Sequence, residues 1–284
     1  MAKTTLDSQD MRLIQKASIT SGWIIRNYCV SIFNLRTHEL SSGSLIEIGT
    51  RLFVATARHV IPENPLRVLR ILNRAGDYER DGFSGFLKWN RHFEPNKGVG
   101  YLELERETAI QYFGDHDFCR VNRIADLGVG RPDRTAIVIG TPARSVKPVE
   151  TFDEINRLKY ACIPYLTFPL PQHEWPGVFE EMPEPDEKID VFLDYPKEEC
   201  QIFETEESTT MPDTTGMSGG GVWDQGDHAE KVWFPGSCTL FAIQESCCPH
   251  RRSLRATQIK HWIDLILRDY PDLRPELEKF RDTR

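Results

Sequence analysis

The stretch Thr214-Thr215-Gly216-Met217-Ser218-Gly219-Gly220-Gly221 places one serine among four glycines. A serine hydroxyl is a weak nucleophile at neutral pH, so attack on a carbonyl needs a neighbouring base and backbone N–H groups aimed at the oxyanion. Glycine allows backbone conformations that other residues rarely adopt, which would let the N–H groups of Gly216 and Ser218 point into one small cavity. Glycine-rich turns also occur as plain turns or phosphate cradles, so this stretch predicts a nucleophile only if a base lies elsewhere.

The composition is that of an ordinary globular protein. The chain has 284 residues, of which 39% are hydrophobic and 27% charged. Its formal net charge of −8 argues against broad nucleic-acid binding, and no stretch approaches the roughly 20 apolar residues of a membrane span. The polar amino terminus does not resemble a secretion signal, and seven cysteines cannot all pair within the chain. We therefore expect reduced thiols and a cytoplasmic location.

Short β-rich runs follow a polar amino-terminal arm at residues 1–20. The arm predicts a short helix around residues 9–17. Strand-like runs then occur at residues 23–25, 29–33, 44–48 and 52–56. This close spacing of strands and turns is typical of a sheet that closes into a barrel or a sandwich.

The last of these runs leads into Thr56-Ala57-Arg58-His59-Val60. A histidine at the end of a strand is by itself more often a structural or surface residue. Together with Gly43-Ser44-Leu45-Ile46 before it, however, the segment resembles the histidine segment of trypsin-like (chymotrypsin-fold) serine proteases, and of their bacterial members in particular. Many secreted members carry a disulfide cysteine where this chain has Val60, and its absence agrees with a reducing compartment.

Two further segments resemble the same family and follow in the family's order. Asp117-Phe118-Cys119-Arg120-Val121 is similar to the segment that carries the family's acidic residue, with Asp115 as the alternative acid. Ile139-Gly140-Thr141-Pro142 is similar to an element found early in the second barrel of bacterial relatives. The resemblance covers roughly residues 22–268.

The resemblance implies an all-β fold with two six-stranded antiparallel β-barrels and a C-terminal helix. On this interpretation barrel 1 spans about 21–125, barrel 2 about 130–255 and the helix about 256–269. The helix is also indicated by the residues themselves, because Ile259, Trp262, Ile263, Ile266 and Leu267 fall on one helical face. Residues 271–284 then form a charged tail.

The order His59, Asp117, Ser218 is that of the chymotrypsin triad and differs from the order in subtilisin and in the α/β-hydrolases. By resemblance, Ser218 attacks a scissile carbonyl, His59 takes its proton, and Asp117 orients the imidazole. The N–H groups of Gly216 and Ser218 would bind the oxyanion. The implied activity is that of a regulated serine endopeptidase with a narrow range of polypeptide substrates, a possible regulatory protein partner and no cofactor.

Two positions bear on activation and specificity. Met217 stands where secreted digestive members have an aspartate that pairs with a newly cut amino terminus, so activation by trimming is not expected. Asp213 and Thr214 precede the serine and should help to form the primary substrate pocket, where Asp213 would favour a basic side chain.

The range 144–208 is longer than a compact second barrel requires. Between residues 172 and 208 there are thirteen acidic residues and two lysines. This segment is either a solvated insertion or an acidic lip that favours basic peptides or a partner protein. A catalytically latent binding module acting through the insertion is therefore the alternative function, and an esterase with the same triad is a third.

A cysteine-rich segment near the carboxy terminus raises the question of a metal site. Cys247, Cys248 and His250 lie close together in the sequence, but they lack the fourth ligand and the usual spacing of a zinc site. No metal site is therefore expected.

Overall fold

The computed structural model describes residues 8–72, 75–76, 82–92, 94, 96–114, 117–125, 134–143, 147–149, 157–177, 183–195, 200–201, 208–209, 214–226, 237–248 and 252–278. Strands dominate this part of the chain. Of the helices it contains, none combines the length and the apolar character needed to cross a bilayer.

The strands and helices are named here in chain order. The strands are β1 (Cys29–Asn34), β2 (Leu40–Ile48), β3 (Arg51–Ala57), β4 (Leu69–Leu72), β5 (Ala75–Gly76), β6 (Phe86–Arg91), β7 (Val99–Leu104), β8 (Cys119–Arg120), β9 (Ala136–Gly140), β10 (Lys147–Val149), β11 (Arg157–Ala161), β12 (Ile163–Thr167), β13 (Asp190–Asp194), β14 (Cys200–Gln201), β15 (Ser208–Thr209), β16 (Gly221–Asp224), β17 (Thr239–Cys248) and β18 (Ser253–Gln258). The helices are α1 (Ser8–Ile25), α2 (Pro65–Val68), α3 (Arg106–Phe113), α4 (Ile259–Asp269) and α5 (Arg274–Glu278).

The first large sheet contains six antiparallel strands in the order β4-β1-β2-β3-β7-β6, and the short β8 pairs in parallel with β2. A tight turn joins β2 to β3, and Gly49 in this turn has a φ of 58°, which glycine adopts without a steric penalty. The register of this hairpin sets Ser44 opposite Ala55. This hairpin connects the Gly43 segment on β2 directly to the His59 segment after β3.

The second large sheet has six strands in the order β12-β9-β16-β17-β18-β13, and each neighbouring pair is antiparallel. β16 follows the glycine-rich stretch and lies between β9 and β17 at the centre of the sheet. The two curled six-stranded sheets are the halves of a double β-barrel, which confirms the predicted fold class.

Helix α4 closes the apolar core that the two sheets share. Its buried residues Ile259, Trp262 and Ile266 belong to a cluster that also contains side chains from both sheets. The ring of Trp262 meets the ring of Phe53 on β3 edge-on, with 6.0 Å between the centroids. The apolar face predicted for the C-terminal helix is therefore the face that is buried.

Two helix boundaries differ from the sequence prediction. Helix α1 continues to Ile25, so the strand predicted at residues 23–25 is the last turn of a helix, whose Ile14 and Ile25 are fully buried. Helix α4 begins at Ile259, because residues 256–258 still pair with β17. In both places tertiary packing overrides the local pattern.

The range 144–208, predicted as an acidic insertion, supplies part of the second sheet. It contains β12 and β13, which are the two edge strands of that sheet. Many of its acidic residues, at 178–182, 196–199 and 202–207, lie outside the described residues. Where the structure describes this range, much of it belongs to the barrel.

A buried ion pair joins β13 to β18. The guanidinium of Arg255 donates through Nε and Nη2 to the two carboxylate oxygens of Asp190, each at 2.8 Å, and through Nη1 to the Pro183 carbonyl at 2.9 Å. The side chains of Arg255 and Asp190 are 1% and 0% exposed. Because the pair is fully desolvated, either charge would be uncompensated without the other.

We expect Asp190→Ala to lower the free energy of unfolding by about 3–5 kcal/mol, because it leaves the Arg255 guanidinium buried without a counter-charge. Urea unfolding followed by tryptophan fluorescence measures this loss. Glu278→Ala is the control, since it removes an exposed pair with Arg274 at 3.8 Å and should change stability by less than about 1 kcal/mol. Equal effects of the two variants would contradict the argument.

Candidate active site

Two consecutive turns carry the Ser218 loop. The Met217 N–H donates to the Thr214 carbonyl and the Gly220 N–H to the Met217 carbonyl, both at 2.9 Å. The third residue of each turn is a glycine with positive φ, 92° at Gly216 and 91° at Gly219. A positive φ at that position is what a type II turn requires. The glycine pattern of the sequence therefore specifies a double turn with Ser218 in its second half.

Close contacts explain why Gly216 and Gly219 cannot carry side chains. A Cβ on Gly216 would lie 2.6 Å from the Thr141 carbonyl oxygen. A Cβ on Gly219 would collide with the Ser42 carbonyl oxygen and the Thr56 hydroxyl. The loop is thus pressed against β2 and β3 of the first sheet on one side and against the end of β9 on the other.

Ser42 on β2 fixes the Ser218 loop to the first sheet. Its N–H donates to the Ser218 carbonyl and its hydroxyl to the Gly216 carbonyl, both at 2.8 Å. The same hydroxyl accepts from the Thr141 N–H at 2.8 Å, and the Thr56 hydroxyl donates to the Ser42 carbonyl at 2.7 Å. Sequence reasoning missed the roles of Ser42 and Thr56, because a serine or threonine inside a strand gives no signal of its own.

The peptide units that carry the two predicted oxyanion donors are also held in place. The Thr215 carbonyl, which shares a peptide unit with the Gly216 N–H, accepts from the Ala143 N–H at 2.6 Å. The Met217 carbonyl, in the peptide unit of the Ser218 N–H, accepts from Gly220. Within the described part of the chain, the N–H groups of Gly216 and Ser218 donate no hydrogen bond. The loop therefore presents two oriented and unused donors.

His59 lies in a short 3₁₀ turn, Arg58–Val60, directly after β3. His59 is exposed and, among the described residues, its imidazole makes no hydrogen bond, which leaves the ring able to turn. The protein atoms around it lower its pKa below the ordinary 6.5 by displacing water from the charged form, while the Glu39 carboxylate acts in the opposite direction. The imidazole is therefore neutral at pH 7 and able to accept a proton.

The structure brings the His59 and Ser218 segments to one junction between the sheets. A Cβ on Gly219, the residue after the serine, would lie 3.0 Å from the backbone nitrogen of Ala57. Ala57 ends β3, two residues before His59. Ser218 itself is half-buried at this junction.

Asp117 lies in the turn that precedes β8. It is 8% exposed, and its N–H donates to the Gly114 carbonyl at 3.4 Å. Burial raises the pKa of Tyr28, and the charge of Asp117 adds to this rise. Desolvation lowers the pKa of His59, and the Glu39 carboxylate opposes it. The role of Asp117 stays a prediction, and the alternative acid Asp115 lies outside the described residues.

The remaining predicted positions have mixed outcomes. Thr214 is half-buried at the start of the double turn, whereas Asp213 lies outside the described residues.

Met217 is buried against Gly140 and joins the apolar core of the second sheet. Its side chain thus anchors the loop by apolar packing, where an aspartate would need an ionic partner. His250 also lies outside the described residues. The residues that the structure does describe contain no group of three His, Cys, Asp or Glu side chains that could hold a metal ion.

Comparison with known proteins bears on the fold. No protein-family model matches the chain, and no curated protein matches it. Among solved structures it is similar to the crystal structure of the scabies mite inactivated protease paralogue S-I1, with a TM-score of 0.53 and 11% identity over 87% of this chain and 95% of that chain. At this low identity the likeness shows the fold alone, and the chain therefore has the trypsin-like double β-barrel.

Proposed function

We propose that the protein is a serine endopeptidase, with Ser218 as nucleophile and His59 as general base. The observation that carries the proposal is the Ser218 loop. Among the described residues, the N–H groups of Gly216 and Ser218 donate no hydrogen bond. Their peptide units are fixed by other hydrogen bonds, and the loop lies against the end of the strand that leads to His59. Donors fixed in this way can stabilise the negative charge of a tetrahedral intermediate without reorganising during the reaction.

The reaction begins when the Ser218 Oγ forms a bond to the carbonyl carbon of a peptide and its proton passes to His59. The carbonyl oxygen becomes an oxyanion and accepts from the N–H groups of Gly216 and Ser218. The C–N bond then breaks, and the amine leaves with the proton that His59 returns. Water attacks the resulting acyl-enzyme by the same route and releases the acid. No cofactor enters these steps.

A carboxylate is needed to hold the imidazole in the tautomer that accepts the serine proton. Asp117 is the residue that the sequence predicts for this role. The acidic range 144–208 supports a preference for basic peptides or for a regulatory protein partner.

A latent binding module is the second candidate function. The observation that favours it is that the similar structure is that of an inactivated protease paralogue. The double barrel therefore does not by itself imply activity. Chemical labelling of Ser218 distinguishes the two functions.

We expect a fluorophosphonate probe to label Ser218, because the proposed site gives its hydroxyl a base, His59, and two oxyanion donors. Ser218→Ala should abolish labelling, and His59→Ala should slow it by about 10²–10⁴-fold. His173→Ala is the matched control, since its side chain is 80% exposed and should leave the rate unchanged. Mass spectrometry locates the adduct. A well-folded protein that is not labelled at Ser218 would support the latent module.

Gly216→Ala should slow labelling by about 10²–10³-fold, the cost of losing one oxyanion donor. The reason is steric, because the new Cβ would lie 2.6 Å from the Thr141 carbonyl oxygen at a φ of 92°. Gly177→Ala is the matched control, since a Cβ there meets nothing within 4 Å. Thermal melting of both variants separates loss of the donor from unfolding. A Gly216→Ala protein that is folded and fully reactive would exclude this donor.

The pH dependence of labelling should reflect the lowered pKa of His59. Its neutral form is the base, so activity is lost as pH falls through that pKa, and the midpoint of the acid limb should lie below 6.5. Glu39→Gln should move the midpoint further down, because the Glu39 carboxylate raises the pKa. Labelling rates measured from pH 4 to 9, at about 0.1 M ionic strength, test both statements. A midpoint above 6.5 would contradict them.

A further inference from the structure

The carboxylate of Glu245, on β17, lies directly against the backbone of Gly98. A Cβ added to Gly98 would occupy the space that the Glu245 carboxylate fills. Thr257 bridges the two residues, since its hydroxyl accepts from the Gly98 N–H at 3.2 Å and donates to Glu245 Oε2 at 3.3 Å. The position of the carboxylate is therefore fixed from both sides.

Gly98 is bonded to the turn that carries His59. Its carbonyl accepts from the Arg58 N–H at 2.7 Å, and the next residue, Val99, pairs with Ala57 in the first sheet. Arg58 is also one of the charges that act on Glu245. The Glu245 carboxylate thus lies against the segment that is paired with the His59 turn.

The backbone next to Glu245 is bonded to the backbone next to Ser218. The Gly219 N–H donates to the Gln244 carbonyl at 2.7 Å, and the Gln244 N–H donates to the Gly220 carbonyl at 2.8 Å. Gln244 immediately precedes Glu245. The structure therefore brings together the residues that are adjacent in sequence to Ser218, His59 and Glu245.

A β-bulge places Glu245 in this position. In the ladder between β17 and β18, Gln244 pairs with Ala256 and Ser246 pairs with Arg255, so Glu245 is an extra residue without an opposite partner. A bulge changes the direction of a side chain relative to regular alternation. The extra residue has a largely buried carboxylate. Burying a carboxylate costs free energy unless it is paired and hydrogen-bonded.

We propose that Glu245, in place of Asp117, is the carboxylate that orients His59. The inference rests on the proposed function, because it names the third member of that site. Glu245 would accept from the imidazole Nδ1–H once His59 turns toward Gly98, which leaves Nε2 free to take the serine proton. It acts through His59 and is a positioning residue.

The charged groups around Glu245 determine when it is ionised. Desolvation and the charge of Asp190 raise its pKa, whereas Arg255, Arg58 and the Thr257 hydroxyl lower it, and the net effect is a raised pKa. Its carboxylate form is therefore lost at a higher pH than for an ordinary glutamate. Because a carboxylate beside His59 favours the imidazolium, removing it should lower the pKa of His59.

Labelling rates of matched variants test the proposal. Glu245→Gln should slow fluorophosphonate labelling of Ser218 by about 10²–10⁴-fold, whereas Asp117→Asn should have a much smaller effect and the exposed control His173→Ala should leave the rate unchanged. Glu245→Asp should recover part of the rate, because it keeps a carboxylate.

Gly98→Asp should restore activity to Glu245→Ser, since it places a carboxylate in the space that Glu245 vacates and Gly98 has no positive φ. Loss of activity in Asp117→Asn with an active Glu245→Gln would overturn the proposal and leave the protease function standing.

NMR titration of His59 provides a readout that does not require activity. The His59 signal is assigned from its absence in His59→Ala. Glu245→Gln should lower the pKa of His59 and Asp117→Asn should not. If the wild-type protein is not labelled but its His59 responds in this way, the protease function fails and the pairing with Glu245 stands. A His59 pKa that does not respond to Glu245→Gln overturns the pairing whatever the labelling shows.

Discussion

The contacts of Ser42 are the constraint on which the site depends. One residue of the first sheet binds the Ser218 and Gly216 carbonyls of a loop that belongs to the second sheet, and it also binds the Thr141 N–H. The proposed nucleophile, Ser218, and the proposed base, His59, lie in turns next to different sheets. Their relative position is therefore set by a few hydrogen bonds that cross between the sheets and by the shared apolar core beneath them.

Much of the fold and of the Ser218 loop was predictable because the determining residues are adjacent in the sequence. The glycines at 216 and 219 specify positive φ values, and the structure has them there. The apolar spacing of residues 259–267 predicts the buried face of α4. The boundaries of the helices were less predictable. Residues 23–25 have a strand-like pattern but are helical, and α4 begins only at Ile259 because the residues before it pair with β17.

The surroundings of His59 were not predictable from local patterns. Glu245 occupies its position through a β-bulge and a contact with Gly98, almost 150 residues earlier in the chain. Neither a bulge nor a missing side chain opposite a carboxylate gives a recognisable motif in a single sequence. Asp117 fits a local motif, and the structure places it in the turn before β8. Local sequence patterns therefore do not predict contacts between residues that meet only through tertiary structure.

The bonds that Ser42 makes also give the site a mechanical property. Because the side chain and the N–H of Ser42 hold the loop against the other sheet, a small sliding of one sheet over the other would change the direction of both proposed oxyanion donors together. A molecule that bound across the two sheets, and preferred one relative placement of them, would thereby alter reactivity at Ser218 without touching it. By thermodynamic linkage, if that molecule changed the affinity of the site for a substrate or inhibitor, the bound substrate or inhibitor would change the affinity for that molecule by the same factor.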